Sequence, residues 1–268
     1  MTLRNDLDAA FDRAREEKRG ILIPYLTAGF PDRTSFTNLA LAILDAGADA
    51  LEIGVPFSDP LLDGVSIQGS QQQALEEGIT PVDCLQLAAE IYRRSGKPLL
   101  FMGAYNPIYA YGVDRFCREA AESGLSALII PDVPFEEQGE LQAGTTAHSL
   151  HLIQLVAPTS TDARLERICA QASGFIYCIS VTGVTGARAA VAETARPLVE
   201  RVRRCTALPL AVGFGIAGPD QARAVIQFAD GVIVASKLVD LIRETPPAER
   251  DSAVSAFIAS LCTALQPA

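Results

Sequence analysis

Hydrophobic positions along the chain gather into eight short runs, at 21–27, 50–55, 98–104, 126–131, 151–156, 174–180, 208–213 and 231–235. Most are apolar at consecutive rather than alternate positions. That pattern marks strands covered on both faces, as in a parallel sheet. Between the runs, apolar residues recur with helical spacing at 34–46, 66–77, 82–94, 113–123, 136–147, 162–171, 193–204 and 218–228. Further helices are predicted at 237–243 and 248–264, and an extra one at 3–18 precedes the first strand. Eight strands alternating with helices predict an α/β fold, a (β/α)8 TIM barrel forming a single domain over residues 1–268. An open doubly wound sheet is the alternative, weakened because no Gly-x-Gly-x-x-Gly follows the first strand.

Composition narrows the picture. The 268 residues are 49% hydrophobic with no Trp, so the core is built from Ala, Val, Ile and Leu. The net charge of −10 argues against nucleic acid or an anionic membrane as partner. The six cysteines include no Cys-x-x-Cys pair and read as small buried residues in a reducing compartment. His148 and His151 are the only histidines, too few for a metal site, so no metal is expected. The N-terminus lacks a targeting pattern, and no apolar run approaches the ~20 residues of a membrane helix. A soluble, cytoplasmic protein is expected.

Barrel active sites lie where strands end at their C-terminal side. The second strand ends LEIGVPFSDPLLDG. By alternation Leu51, Ile53 and Val55 face the helices, which points Glu52 into the barrel lumen. Burial there raises a carboxyl pKa and makes Glu52 a candidate proton donor and acceptor. The competing reading is a lumen salt bridge, but Lys18, Lys97 and Lys237 all lie outside the predicted strands, and so does every Arg. Asp59 and Asp63 follow in a Pro- and Gly-rich loop, where either alone reads as a turn carboxylate. Residues 181–195, just after Tyr177, form a Gly-containing segment of the length of a lid. Gly183, Gly186, the Gly-Phe-Gly at 213–215, and Ala235-Ser236 leading into Lys237 give three consecutive strand ends suited to a phosphate. Residues 236–243 would be the short phosphate-binding helix after strand eight.

At these residues the sequence resembles the tryptophan synthase alpha subunit family. The segments that carry the likeness run nearly end to end: PYLTAGFPD (24–32), DAGADALEIGVPFSDPLLDG (45–64), GAYNPIYAYG (103–112), IIPDVPFEE (129–137), APTST (157–161), SVTGVTGAR (180–188) and VGFGI (212–216). The resemblance implies retro-aldol cleavage of indole-3-glycerol phosphate to indole and glyceraldehyde 3-phosphate, a lyase step in tryptophan biosynthesis. It implies Glu52 as the acid–base that protonates indole C3, and Asp63 as the carboxylate that meets the indole N–H. Tyr177 stands beside Glu52, and Thr185 orients the aspartate when the lid closes. By the same resemblance Gly186, Gly215, Ala235 and Ser236 would cradle the phosphate. Tyr25, Met102, Ile129 and Phe214 would help wall the indole pocket.

The resemblance also implies a beta subunit in an alpha2beta2 complex, met by Pro56, Asp59 and Asn106. No cofactor is expected in this chain, and pyridoxal phosphate would belong to the beta partner. The chain departs from the family where Leu62-Asp63-Gly64-Val65 replaces the usual Ala-Asp-Gly-Pro, and where Ala235-Ser236-Lys237 replaces a Gly-Ser. A free-standing lyase that releases indole, a non-catalytic regulatory subunit and another phosphate-binding barrel lyase or isomerase are the other readings.

Overall fold

The computed structural model describes residues 3–179, 190–213 and 215–267. Each predicted strand is found. They are β1 (Ile21–Thr27), β2 (Leu51–Gly54), β3 (Leu99–Met102), β4 (Leu125–Ile129), β5 (His151–Leu152), β6 (Gln154–Val156), β7 (Ile176–Ile179), β8 (Leu210–Gly213) and β9 (Gly231–Val234). Their hydrogen-bonded order is β5-β4-β3-β2-β1-β9-β8-β7-β6, with all described pairs parallel. β5 and β6 are two pieces of the single run expected at 151–156. β5 pairs with β4 and β6 with β7, so this split strand joins the two ends of the sheet. Ile153, between the pieces, still donates its N–H to the Leu128 carbonyl at 2.9 Å. The barrel is thus nearly closed, with eight staves as the sequence predicts, and the doubly wound alternative falls.

Alternation sorts the strand side chains into two layers. Leu22, Leu51, Ile53, Leu99, Phe101, Leu128 and Val232 pack outward against the helices. Ile21, Ile23, Leu100, Ala127, Phe175 and Ile233 fill the lumen. Helix α1 (Asp6–Glu16) closes the N-terminal mouth. It buries Leu7, Ala10, Phe11 and Ala14 against the lumen layer, with the Phe11 and Phe175 rings 5.5 Å apart. A capping box starts α1: Asn5 accepts from the helix's first turn, and Asp8 accepts from the Asn5 N–H at 2.7 Å. The Asn5 amide also donates to the Ser126 carbonyl at 2.8 Å, tying the cap to the barrel.

The outer ring comprises α2 (Arg33–Asp45), α3 (Val65–Glu76), α4 (Pro81–Ser95), α5 (Tyr105–Tyr111), α6 (Val113–Glu122), α7 (Gly139–Ala147), α8 (Asp162–Gln171), α9 (Ala190–Arg203), α10 (Pro219–Val225), α11 (Ser236–Glu244) and α12 (Arg250–Ala264). Three details differ from expectation. Helix α5 occupies residues read as loop, with Pro107 in its first turn, where a missing N–H costs nothing. The segment 136–147 divides into a short 3₁₀ turn, Phe135–Glu137, and α7. Residues 190–195, expected as the end of a lid, belong to α9, and 181–189 lie outside the described residues. Among the described residues no helix is long and apolar enough to cross a membrane. The six cysteines are free thiols.

Candidate active site

Glu52 does enter the lumen. It lies between Tyr25 and Leu100 in the strand register and is 1% exposed. Its Oε2 is buried without a hydrogen-bond partner among the described residues. Among the described residues no ion pair neutralises it, so the salt-bridge reading finds no partner there. Burial, reinforced by the negative charge of Asp63, pushes the Glu52 carboxyl up to about 8. It therefore holds its proton at neutral pH.

Asp63 stands at the rim, at the end of the loop that joins β2 to α3. Burial raises its pKa too, but a hydrogen bond from Gln71 works in the opposite direction. The Gln71 Nε2 donates to Asp63 Oδ2 at 2.6 Å. The two carboxyl groups are thus unlike: one has an oxygen buried without a partner among the described residues, the other is held by an amide.

Tyr25 and Tyr177 are both 3% exposed, and burial raises both phenols well above the usual range. Two strand glycines make room for them. A Cβ at Gly54 would collide with the Tyr25 hydroxyl, and one at Gly213 with the Tyr177 ring. The Tyr25 hydroxyl is 3.2 Å from Thr27 Oγ1, which is 2.6 Å from Ser70 Oγ. The chain ends where Ser70 donates to the Ile67 carbonyl at 2.8 Å.

Two adjoining cavities open here. The smaller, about 180 Å³, reaches from Glu52, Asp63 and Tyr177 to Gly215, Ser236 and Lys237. The larger, about 480 Å³, is mostly apolar and lies toward Leu61, Leu62 and Pro131. Tyr25, Asp63 and Met102 line both. The larger one does not touch Glu52, so the proton chemistry belongs to the smaller. At its far end α11 begins with Ser236, preceded by Ala235. First-turn N–H groups have no intrahelical acceptor, which makes this end a receptor for an anion. Gly215 takes φ +79°, a conformation that glycine adopts without strain. Ala235 has φ −121°, so no left-handed conformation calls for glycine there.

The other expected residues divide. Thr185, Gly186 and Phe214 lie outside the described residues. Ile129 is not at the surface of either cavity: it is fully buried in the lumen, paired in register with Met102. Pro56 is buried and offers no free surface, whereas Asp59 and Asn106 are exposed. The sequence reading missed Ile67, Ile233 and Gln71, which line one cavity or the other. Helix α3 buries Ile67, Ser70, Gln71 and Ala74, so two polar residues on an apolar stripe were the available signal. Among the described residues no group of three or more His, Cys, Asp or Glu side chains could hold a metal ion.

An unpaired acid in a barrel lumen, a second carboxylate of different environment and a helix end suited to an anion define an acid–base enzyme of the (β/α)8-barrel class. Comparison with known proteins narrows this. A family described as tryptophan synthase alpha chain matches residues 11–265. A tryptophan synthase alpha chain of Chloroflexus aurantiacus is 48% identical over 256 residues, covering 95% of this chain and 96% of that one. A chain in the structure of Mycobacterium tuberculosis tryptophan synthase superposes with a TM-score of 0.90 at 35% identity, covering 100% of both chains. The tryptophan synthase subunit alpha of Legionella pneumophila gives a TM-score of 0.89 at 32% identity, covering 98% of each. The chain belongs to the tryptophan synthase alpha chain family.

Proposed function

We infer that this chain cleaves indole-3-glycerol phosphate to indole and glyceraldehyde 3-phosphate, with Glu52 and Asp63 dividing the chemistry. The observation that carries the reading is the Glu52 carboxyl buried in the lumen beside a rim aspartate, its Oε2 without a partner among the described residues; that burial pushes its pKa up to about 8. Glu52 donates its proton to C3 of the indole, which turns the ring into an electron sink. Asp63, as a carboxylate, accepts from the indole N–H and stabilises the positive charge that develops there. The hydroxyl next to the scissile bond then gives up its proton, its oxygen becomes the aldehyde carbonyl, and the C–C electron pair returns to the ring. Glu52, now a carboxylate, takes the hydroxyl proton and regains its starting form. Unlike surroundings let two carboxyl groups hold opposite protonation states at one pH. Tyr25 and Met102 wall the ring, while Gly215, Ser236 and the α11 N-terminus receive the phosphate. Lys237, exposed at the same rim, adds a positive charge. No cofactor enters this scheme.

A beta subunit fits the outer rim. Leu61, Leu62 and Val65 are 91%, 59% and 86% exposed beside Asp59, and Tyr109 is 62% exposed beside Asn106. Exposed apolar groups gathered at one mouth mark an interaction surface. Pyridoxal phosphate belongs to that partner in this reading, and the pair works in the cytoplasm.

Indole release from indole-3-glycerol phosphate by the purified chain, with and without a beta subunit, tests both statements. Weak release alone and strong activation on mixing is the expected result. Fast release unchanged by the partner would make it a free-standing lyase, and no release in either mixture would overturn the assignment.

A further inference from the structure

Gln71 has no part in the scheme above, yet its environment is unusual. It opens a run of three glutamines in α3, and it alone of them is buried, at 4% exposure. Both ends of its amide are used. Oε1 accepts from the Phe57 N–H at 3.0 Å, and Nε2 donates to Asp63 Oδ2 at 2.6 Å. A backbone N–H can only donate, so the Phe57 contact fixes which end of the amide is oxygen. The NH2 end must then face Asp63.

The loop that carries Asp63 has little else to hold that side chain. Gly64 supplies no side-chain cap to α3, and Leu61, Leu62 and Val65 project into solvent. Val65 stands where the family usually has a stiffening Pro. Gln68, one turn earlier on α3, pins only loop backbone, donating to the carbonyls of Asp63 at 2.9 Å and Pro60 at 3.3 Å.

We propose that Gln71 is a positioning residue for Asp63: its amide, oriented by the Phe57 N–H, holds the Asp63 carboxylate ionised and aimed into the junction of the two cavities before substrate arrives. The proposal rests on the role given to Asp63 above. Among the described residues the ionisable groups facing Asp63 are Glu52 on β2, Tyr25 on β1, Tyr177 on β7 and Lys237 on α11, with Asp59 in its own loop and Asp132 across the larger cavity. Against this largely acidic surround the amide is a donor that favours the charged form. Deleting it raises the Asp63 pKa, so the acid limb of the rate profile moves to higher pH.

The test is the pH dependence of indole release by the wild-type chain, Gln71→Met and Gln71→Glu, alongside thermal melts. Gln71→Met keeps the volume and removes the bond. It should lower kcat about tenfold to a hundredfold, change KM less, and shift the acid limb upward. Gln71→Glu places a second carboxylate against Asp63 and should move that limb further. Wild-type kcat and acid limb in Gln71→Met would overturn the proposal. A loss of kcat that tracks the melting temperature with an unmoved acid limb would also overturn it, since that is a purely structural role. If Gln71→Met does not fold, an unshifted acid limb in Gln71→Glu overturns it. If the wild-type chain releases no indole, the functional reading falls. Carboxyl NMR titration of Asp63 in wild type and variants then decides the Gln71 proposal, and equal midpoints refute it.

Discussion

The two mouths of the barrel each draw a carboxyl group out of solvent, Glu52 fully and Asp8 in part, and they treat it in opposite ways. At the N-terminal mouth Asp8 meets His151 Nε2 at 2.8 Å and also accepts the Asn5 N–H. Burial works to raise its pKa, but these bonds and nearby positive charge outweigh it and hold the carboxyl below the usual range. At the C-terminal mouth Glu52 has no such partner among the described residues, and burial raises it to about 8. The paired group helps fasten α1 over the lumen, whereas the unpaired one strains the fold and keeps a transferable proton. Stability was built at one end and reactivity at the other.

Breaking the reactive end should have the largest effect. Glu52→Gln keeps the shape but removes the proton, and indole release should fall by about 10³ or more. The same variant should be the more stable protein. A raised folded-state pKa means that the native state binds the proton more tightly than the unfolded chain, so wild-type stability falls as pH rises from about 4.5 toward 8. Removing the titration should therefore raise the melting temperature, with a gap that widens over that range to something on the order of 3 kcal/mol. Equal melting temperatures at pH 5 and pH 8 for wild type relative to variant would contradict a strained Glu52.

Asp63→Asn should cost about 10²-fold in kcat with the fold intact, because an amide cannot stabilise positive charge on the ring. Gly54→Ala tests the close approach of the Tyr25 hydroxyl. The added methyl has no room, so stability should drop by about 1–3 kcal/mol in denaturant melts, with activity falling as Tyr25 is displaced. At the opposite mouth Asp8→Asn should leave kcat near wild type and cost about 1–3 kcal/mol. Its sign with pH is the reverse of Glu52. Because the Asp8 pKa is lowered from 3.8, the stabilisation is present above that value and is lost as pH falls through the folded pKa. The smallest effect belongs to Lys237→Ala at the exposed rim, a rise in KM of a few-fold that fades at high salt.

The sequence made the barrel and its reactive end legible for different reasons. Strand alternation alone sent Glu52 inward, because Leu51 and Ile53 needed the helix layer. Tyr177 and the Ala235-Ser236 helix start followed from where strands end. The break at Ile153 left no mark, because neither Gly nor Pro interrupts the run 151–156. Helix α5 escaped because seven residues with a Pro in the first turn carry little periodicity. Gln71 sat in a polar run that reads as solvent-facing, and only its burial shows otherwise. The Asp8–His151 pair joins residues 143 apart in sequence, a distance over which no local pattern reaches. Ile129 and Pro56 were placed by resemblance, and packing set both beneath the surfaces they were expected to form.

The claim at the centre of this account is that Glu52 carries a proton at neutral pH. Titration of the Glu52 side-chain carboxyl by carbon NMR, assigned by loss of its signal in Glu52→Gln, measures that directly. A midpoint near the value of about 8 set by burial and by Asp63 is the predicted result. A midpoint at the ordinary glutamate value of about 4.3 would mean that water or an unrecognised partner solvates the carboxylate, and the proton donor would have to be sought elsewhere.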